Sequence, residues 1–492
     1  MNLLHKIYQQ YKENPEKIAL IKDDIKITYS EFFTKIVNIA EFWLKKGIKY
    51  QDKIVLCSNK ELEFIYCYYA SKLLGLIVVP LDPLASEEKK ENLLESIKPF
   101  LYYDFSKDKN IKHSTNLNSQ NSIEQFISKL YKAEENSYSE IVFTSGTTGN
   151  PKGVVLTLRN LKKAIENINT VISISEEDVE MLVMPLNHSF ALARMRCILD
   201  AGGTMVLIDG LKSPKAFFKA LEKENISVIG MVPAAWNLLW KLSKDHIKKY
   251  SNQIKYIEIG SAPMSLAEKM KIINILPNTN IFIHYGLTEA SRCIFNELSK
   301  KNKSLALLGQ SAPNVNIKIY NKDGKELGLN EIGEICVRGE MISEILYQNG
   351  EFIQNESFYG KYLRTSDVGS MNKEGFVTLF ARDDDIINIG GKKVSPIEVE
   401  QVLNELVFIE ECACIGAKDT ILGEKIVAFL VLNRDVEIKG NFEGKVINEI
   451  KNKFETYKIP SEFKIINSIP KTLTGKILRN DLRVLYKNAA NL

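Results

Sequence analysis

No stretch of this sequence is apolar for long enough to suggest a bilayer span. The most apolar run, residues 64–81, contains Lys72 and ends around Pro80, so it predicts a buried helix followed by a strand. The first fourteen residues carry charges throughout and lack the apolar centre of a signal peptide. Neither sign of charge prevails: 65 Lys plus Arg stand against 61 Asp plus Glu, and a net +4 over 492 residues gives no strong field for nucleic acid or an anionic membrane. Partners are therefore expected to be selected by local sites, with no nucleic acid and no stable membrane insertion among them. The seven cysteines, at 57, 67, 197, 293, 336, 412 and 414, are odd in number, scattered and mostly set in apolar runs, which predicts reduced thiols and a cytoplasmic setting. Cys412-Ala413-Cys414 could be a metal pair, but a strand turning two small apolar residues to one face is the simpler reading. No internal repeat is evident.

What is present is apolar content of 45%, ample for the two or more cores that 492 residues imply. Helical spacing at residues 3–11 and 30–46 is separated by short β-branched runs at 18–21 and 25–29, then strand 53–57, helix 61–74 and strand 75–81 follow. Such alternation predicts an α/β sheet. Residues 104–139 turn rich in Lys, Asn, Ser and Gln and predict a mostly mobile or variable connection. The alternation then resumes, with strands at 179–184, 204–208, 228–232, 256–259 and 281–285 and helices at 158–171, 191–199 and 215–224. Ligands of a doubly wound sheet gather at the carboxyl ends of such strands. Residues 314–380 are β-rich, with turns at Asn321-Lys322-Asp323-Gly324 and Lys373-Glu374-Gly375. From about Asp385 a second alternation predicts a small α+β domain. The expected organisation is a large N-terminal α/β domain with a β-rich subdomain, residues 1–383, and a small mobile C-terminal domain, residues 384–492.

Residues 141–156 dominate the chemistry. Two β-branched runs bracket a loop made almost wholly of Thr, Ser, Gly, Pro and Lys, which reads as strand, tight polar loop, strand. Gly146, Gly149 and Gly153 let backbone N–H groups approach oxyanions, Thr144, Ser145, Thr147 and Thr148 add hydroxyl donors, and Lys152 adds a point charge. Such a loop suits polyphosphate. It is not a Walker A loop, since Lys152 is followed by Gly153 and a strand rather than by Ser or Thr and a helix. An ordinary Ser/Thr/Gly turn remains the alternative for this stretch taken alone.

Five further landmarks follow in order. Gly260-Ser261-Ala262-Pro263 and Tyr285-Gly286-Leu287-Thr288-Glu289 close two of the predicted strands. Thr365-Ser366-Asp367 lies in the β-rich region, Ala381-Arg382-Asp383-Asp384-Asp385 leads through Gly390-Gly391 to Pro396-Ile397-Glu398, and Pro470-Lys471-Thr472 leads to Gly475-Lys476. Together with the loop they resemble the adenylate-forming superfamily that holds acyl-CoA synthetases, peptide-synthetase adenylation domains and firefly luciferase. The chain departs from that pattern at Ser366 and Ala381, each standing where a glycine is usual.

The resemblance implies an acid:CoA ligase that activates a carboxylate with ATP, releases pyrophosphate and passes the acyl group to a thiol, with ATP, Mg²⁺ and coenzyme A as cofactors. It implies that Lys152 and the loop Thr144 to Gly149 hold the β- and γ-phosphates, and that Glu289 and Thr144 offer hard oxygen ligands to the metal. Gly260 to Pro263, Tyr285, Gly286 and Thr288 would flank the nucleotide, with Tyr285 stacked on adenine. Asp367 would accept the ribose hydroxyls, Arg382 would donate to ribose or phosphate, and Lys476 would bridge the attacking carboxylate and the α-phosphate. His188 would gate the acid site and Asp384 would be the hinge. Gly390 and Gly391 would admit the thiol arm, and Lys392 and Lys393 could meet CoA phosphates or an acidic carrier-protein helix. Ser189 stands where amino-acid-activating relatives carry Asp, so an acid without an α-amino group is expected. Arg292 either faces solvent or, with Arg196 as a second candidate, grips a polar group on the acid. A stand-alone enzyme loading an acyl carrier protein is the first alternative. A non-catalytic nucleotide-binding protein is the second, and Lys476, Lys152 and Glu289 together count against it.

Overall fold

The computed structural model describes residues 3–58, 61–107, 117, 119–130, 133–144, 152–211, 213–299, 304–433, 441–453, 455–472 and 475–490. Among them the chain forms four main sheets. A nine-stranded sheet has a parallel centre made by Val228–Met231, Tyr256–Ile259 and Asn280–Tyr285 with Val179–Leu182 and Thr204–Leu207 beside them. Four of these five strands are almost wholly apolar or buried because helices cover both faces, as parallel sheets require. In register, Met231 pairs with Ile259 and Ile259 with Ile283. Their carboxyl ends thus release Val232-Pro233, Gly260 to Pro263 and Tyr285 to Glu289 side by side. The segment carrying His188 leaves the neighbouring strand Val179–Leu182 in the same direction.

A seven-stranded sheet contains Tyr138–Thr144 and Lys152–Thr157, antiparallel partners whose connecting loop, Ser145 to Pro151, lies outside the described residues. The expected roles of Ser145, Gly146, Thr147, Thr148 and Gly149 therefore carry no structural account. The predicted helix and strand in the apolar run are Leu62–Leu74 and Ile77–Leu81, and Lys72 is buried among them. Its ammonium donates to the Ser139 carbonyl at 2.6 Å and hydroxyl at 2.9 Å, and lies 3.7 Å from Glu140. Burial pushes it down to about 7, with Glu140 pulling the other way. The folded state then holds fewer protons than the unfolded chain between about 7 and 10.5, so this group adds stability as pH rises through that window. In Lys72→Met this slope is absent. Chemical denaturation is expected to show the wild type gaining on the variant as pH rises across the window, and parallel stability curves would refute it.

The region expected to be a mostly mobile connection, 104–139, contains a helix, Gln120–Ser128, capped by the Ser119 hydroxyl and turning Ile123 inward. Its polar composition reflects exposed Gln120, Asn121, Gln125 and Ser128 around one fully buried residue, rather than absence of structure. Helices Glu87–Ile97, Pro233–Ser243, Leu266–Ile275 and Arg479–Ala490 were likewise not legible beforehand. Most of the β-rich region is a five-stranded antiparallel sheet in which Asp367 pairs with Arg382 across Tyr362–Met371 and Val377–Arg382, while Ile345–Gln348 and Glu351–Gln354 join the seven-stranded sheet. The region's expected turns are present, with Gly324 at φ +76 and Gly375 at φ +80. The C-terminal sheet runs through Ile387–Ile389, Lys392–Val394, Ile409–Asp419, Gly423–Leu432 and Glu462–Ile465. Cys412 and Cys414 face one core there and Ala413 the other, the strand alternation expected of them. Large α/β and small α+β units are both present. Among the described residues, no helix is long and apolar enough to cross a membrane.

Candidate active site

Asp367 lies in the five-stranded sheet, and the hydroxyl of Tyr285, at the end of a strand of the nine-stranded sheet, donates to its Oδ2 at 2.5 Å. Burial raises the Asp367 carboxyl above the usual range, while Tyr285, Arg382 and Lys476 oppose the shift. Lys476 comes from the C-terminal unit. Its ammonium is lowered by burial and by Arg382, and held up by Asp367, Asp385 and Asp384. The turn that carries it is closed by Gly475 N–H to the Thr472 carbonyl and Lys476 N–H to the Thr472 hydroxyl, at 2.9 and 3.1 Å. Gly475 has φ +87, and a Cβ there would stand 2.8 Å from that of Ala234. Only glycine lets this turn, and with it Lys476, seat against the start of Pro233–Ser243. Lys241 pairs with Glu410 at 2.9 Å across the same junction.

Arg382 is half-buried, and its Nε lies 3.5 Å from Asp384. Asp367 and Asp384 together outweigh the burial that would lower it. Asp384 occupies a three-residue 3₁₀ turn, Asp383–Asp385, whose carbonyl at 384 accepts from Arg483 at 3.3 Å. Ser366 takes φ +60, the left-handed conformation for which a glycine is usual. Gly390 and Gly391, at φ +56 and +83, form an exposed turn. Lys393 is exposed beside them, and Lys392 lies over the Tyr457 ring.

His188 is the N-cap of the helix Ser189–Ala201, with Ser189 its first residue. Its Nε2 is buried and has no hydrogen-bond partner among the described residues, and burial lowers its pKa. Glu289 is also largely buried, which raises its carboxyl against a backbone hydrogen bond and, among the described residues, the charge of Arg382. A carboxylate without a fixed cation partner suits a hard divalent ion, so the donor chemistry fits Mg²⁺ at Glu289. Thr144 ends its strand, and Lys152 begins the next, exposed. Gly260 is packed so closely under His284 that a Cβ would meet Nε2 at 2.1 Å, while at Gly286 it would meet the Arg292 nitrogen at 2.3 Å. Ser261 follows Gly260 at φ +75, and Ala262 and Pro263 complete that turn. Thr288 is half-buried in the other.

Two sequence expectations are corrected. Arg292 is 3% exposed and neither faces solvent nor is free to grip an acid, because its Nε donates to Glu258 at 2.6 Å and its Nη2 to the Phe190 carbonyl at 3.2 Å. Arg196 donates to Glu140 at 2.7 Å and to the Tyr68 hydroxyl at 3.2 Å. A guanidinium inside an apolar core must be paired, and the partners lie far away in sequence. Glu258, Glu180 and His284 were missed altogether. The available signal was a carboxylate interrupting the otherwise apolar strands Val179–Leu182 and Tyr256–Ile259.

Comparison with known proteins gives a consistent picture. The AMP-binding enzyme family matches residues 7–347, and the AMP-binding enzyme C-terminal domain matches 398–476. A 2-succinylbenzoate–CoA ligase of Bacillus subtilis is 28% identical, covering 97% of either chain. A crotonobetaine/carnitine–CoA ligase of Salmonella paratyphi B is 24% identical, covering 95% of this chain and 96% of its own. The structure of o-succinylbenzoate CoA synthetase from Bacillus subtilis with its acyl-adenylate intermediate superposes with TM-score 0.81 at 25% identity, over 97% of either chain. ATP-bound MatB from Rhodopseudomonas palustris, 21% identical, shares the fold over 99% of either chain with TM-score 0.87.

Proposed function

This chain belongs to the AMP-binding enzymes, and from that premise we propose the roles of its residues. It is an AMP-forming acid:CoA ligase that takes ATP, a carboxylic acid and CoA. The observation that carries the residue assignment is the convergence of Asp367, Tyr285, Arg382 and Lys476 from four segments, with the Tyr285–Asp367 hydrogen bond at its buried centre and Arg382 and Lys476 bringing charge to it. Asp367 accepts from the ribose hydroxyls, and the Tyr285 ring, already oriented by its hydroxyl, offers a face to adenine. Arg382 donates to ribose or phosphate. Lys152 and the adjoining loop hold the β- and γ-phosphates. An acid oxygen attacks the α-phosphorus, the bond to the β-phosphate oxygen breaks, and pyrophosphate leaves. Lys476 bridges the two anions as they meet, where uncompensated charge would raise the barrier most. Glu289 and Thr144 would hold Mg²⁺, which would neutralise charge on the phosphates. In the second step a thiol attacks the acyl carbonyl and AMP leaves. His188, unpartnered at Nε2, stands at the acid site, and Gly390-Gly391 admits the thiol arm.

The 1–383 and 384–492 units are taken to move about Asp384 between the two steps. The three arginines buried among the described residues, Arg194, Arg196 and Arg292, are paired, so we assign the preferred acid an uncharged tail in place of a polar group held by Arg292 or Arg196. Ser189 and the absence of an acidic partner at that position favour an acid without an α-amino group. Seven free, buried cysteines support a reducing, cytoplasmic setting. The near balance of charge supports neither nucleic acid nor membrane as a partner.

The test is acid-dependent pyrophosphate release over a panel that includes plain aliphatic and aromatic acids, 2-succinylbenzoate and crotonobetaine, each with CoA and with a holo carrier protein. Turnover is expected with CoA and an acid of uncharged tail. Preference for a dicarboxylate would refute the tail assignment, and turnover only with the carrier would refute CoA as acceptor.

A further inference from the structure

We propose that Arg292 is a positioning residue that ties three ligand-binding segments to one buried carboxylate, that of Glu258. The proposal takes from the reading above only that those segments bind the nucleotide and acid. Arg292 sits at φ +52, three residues beyond Glu289, with its backbone nitrogen pressed into the space that Gly286 leaves free. From there its planar fork spreads in three directions. Nε donates to Glu258 Oε1 at 2.6 Å, Nη2 to the Phe190 carbonyl at 3.2 Å and Nη1 to the Ser291 hydroxyl at 3.2 Å. The guanidinium carbon also lies 4.8 Å from the centroid of the Phe190 ring.

Each contact leads to a different wall of the site. Phe190 is in the first turn of the helix that His188 caps. Glu258 stands near the end of the strand Tyr256–Ile259, two residues before Gly260, so its position and that of the turn Gly260 to Pro263 are linked. His284 adjoins Tyr285, places Nδ1 2.7 Å from Glu258 Oε1, and fills the space above Gly260. Arg194, one helical turn beyond Phe190, donates to Glu258 Oε2 at 2.8 Å and makes a fork with Glu180 at 2.5 and 2.6 Å. Burial alone would raise the Glu258 carboxyl, yet Arg292, His284 and Arg194 hold it well below the usual range. With two carboxylates and two guanidiniums, the cluster has no net charge to offer a substrate. Its geometry serves instead to hold the His188, Gly260 and Tyr285 segments in one arrangement. A lysine could reach Glu258 or the Phe190 carbonyl, but it has no rigid fork to fix both.

The experiment compares wild type with Arg292→Lys and Arg292→Leu in ATP binding by calorimetry, pyrophosphate exchange and thermal unfolding. Arg292→Lys is expected to stay folded, to bind ATP on the order of tenfold more weakly and to lose on the order of 10²-fold in exchange kcat, since small misplacements of reacting groups have effects of that size. Arg292→Leu is expected to lose more of both. If Arg292→Leu does not fold, Glu258→Gln takes its place, with the same losses expected. ATP affinity and kcat within twofold of wild type in the lysine variant would overturn the proposal in favour of a pair that only stabilises the core. A rise confined to the KM of the acid would overturn it in favour of direct acid contact. ATP binding needs no knowledge of the acid, so a wrong acid assignment leaves the test intact. Wild-type protein that binds no ATP would overturn the nucleotide reading and this proposal together.

Discussion

Lys476→Ala is expected to abolish acyl-adenylate formation while leaving thioester formation from a supplied acyl adenylate largely intact. Gly475 lets the turn that carries Lys476 close against Ala234, and the ammonium and the Asp367 carboxylate feel each other's charge. Burial and Arg382 lower the lysine's pKa, while three carboxylates favour its charged form. That is the setting for a cation that must meet two anions at the moment of attack. Its removal takes away a charge-assisted contact to the reacting phosphate, about 3 kcal/mol or more, or roughly 10²-fold or greater in rate. The measurement is single-turnover pyrophosphate release beside thioester formation from synthetic acyl adenylate. Equal loss in both assays would contradict a lysine that serves only the first step. A companion Gly475→Val should reproduce the defect, because the lysine is then present but its turn no longer fits.

Asp384→Pro is expected to separate the two half-reactions by at least about tenfold in their rate ratio. Proline fixes φ near about −65° and disfavours helical backbone at the residue before it, which is Asp383 in the 3₁₀ turn Asp383–Asp385. The exchange also removes the side chain 3.5 Å from Arg382. Around this turn the contacts belong to both units: Arg483 reaches the Asp384 carbonyl and the Asp385 carboxylate, and Lys322 lies 3.4 Å from Asp383. On the proposed role of Asp384 as pivot, fixing its backbone alters the balance between arrangements. Pre-steady-state rates of both steps, measured on one preparation, decide the matter. A variant running both at wild-type rates would remove Asp384 from the hinge.

Much of the architecture was readable because its signals are local. The strands at 228–232 and 256–259 were legible from short apolar runs, and the turn at Asn321 to Gly324 from its own side chains and glycine. Helices such as Pro233–Ser243 were not, since Leu238 and Leu242 remain exposed and blur the periodicity that would mark one apolar face. The helix Gln120–Ser128 was hidden by a composition typical of disorder, with Ile123 as its one buried residue.

The sequence by itself determined the site's vocabulary. Asp367, Arg382, Glu289 and Lys476 stand in contiguous motifs whose spacing and order are readable without knowledge of the fold, because each motif is a short run of neighbouring residues. Only the tertiary structure decided how buried charges pair. Arg196 and Arg292 looked alike as arginines near the acid site, yet Glu140 and Glu258 lie 56 and 34 residues from them. Strand order and register bring those partners together. The cost of an unpaired charge in a low-dielectric interior says that a partner must exist, but it does not say where along the chain the partner lies.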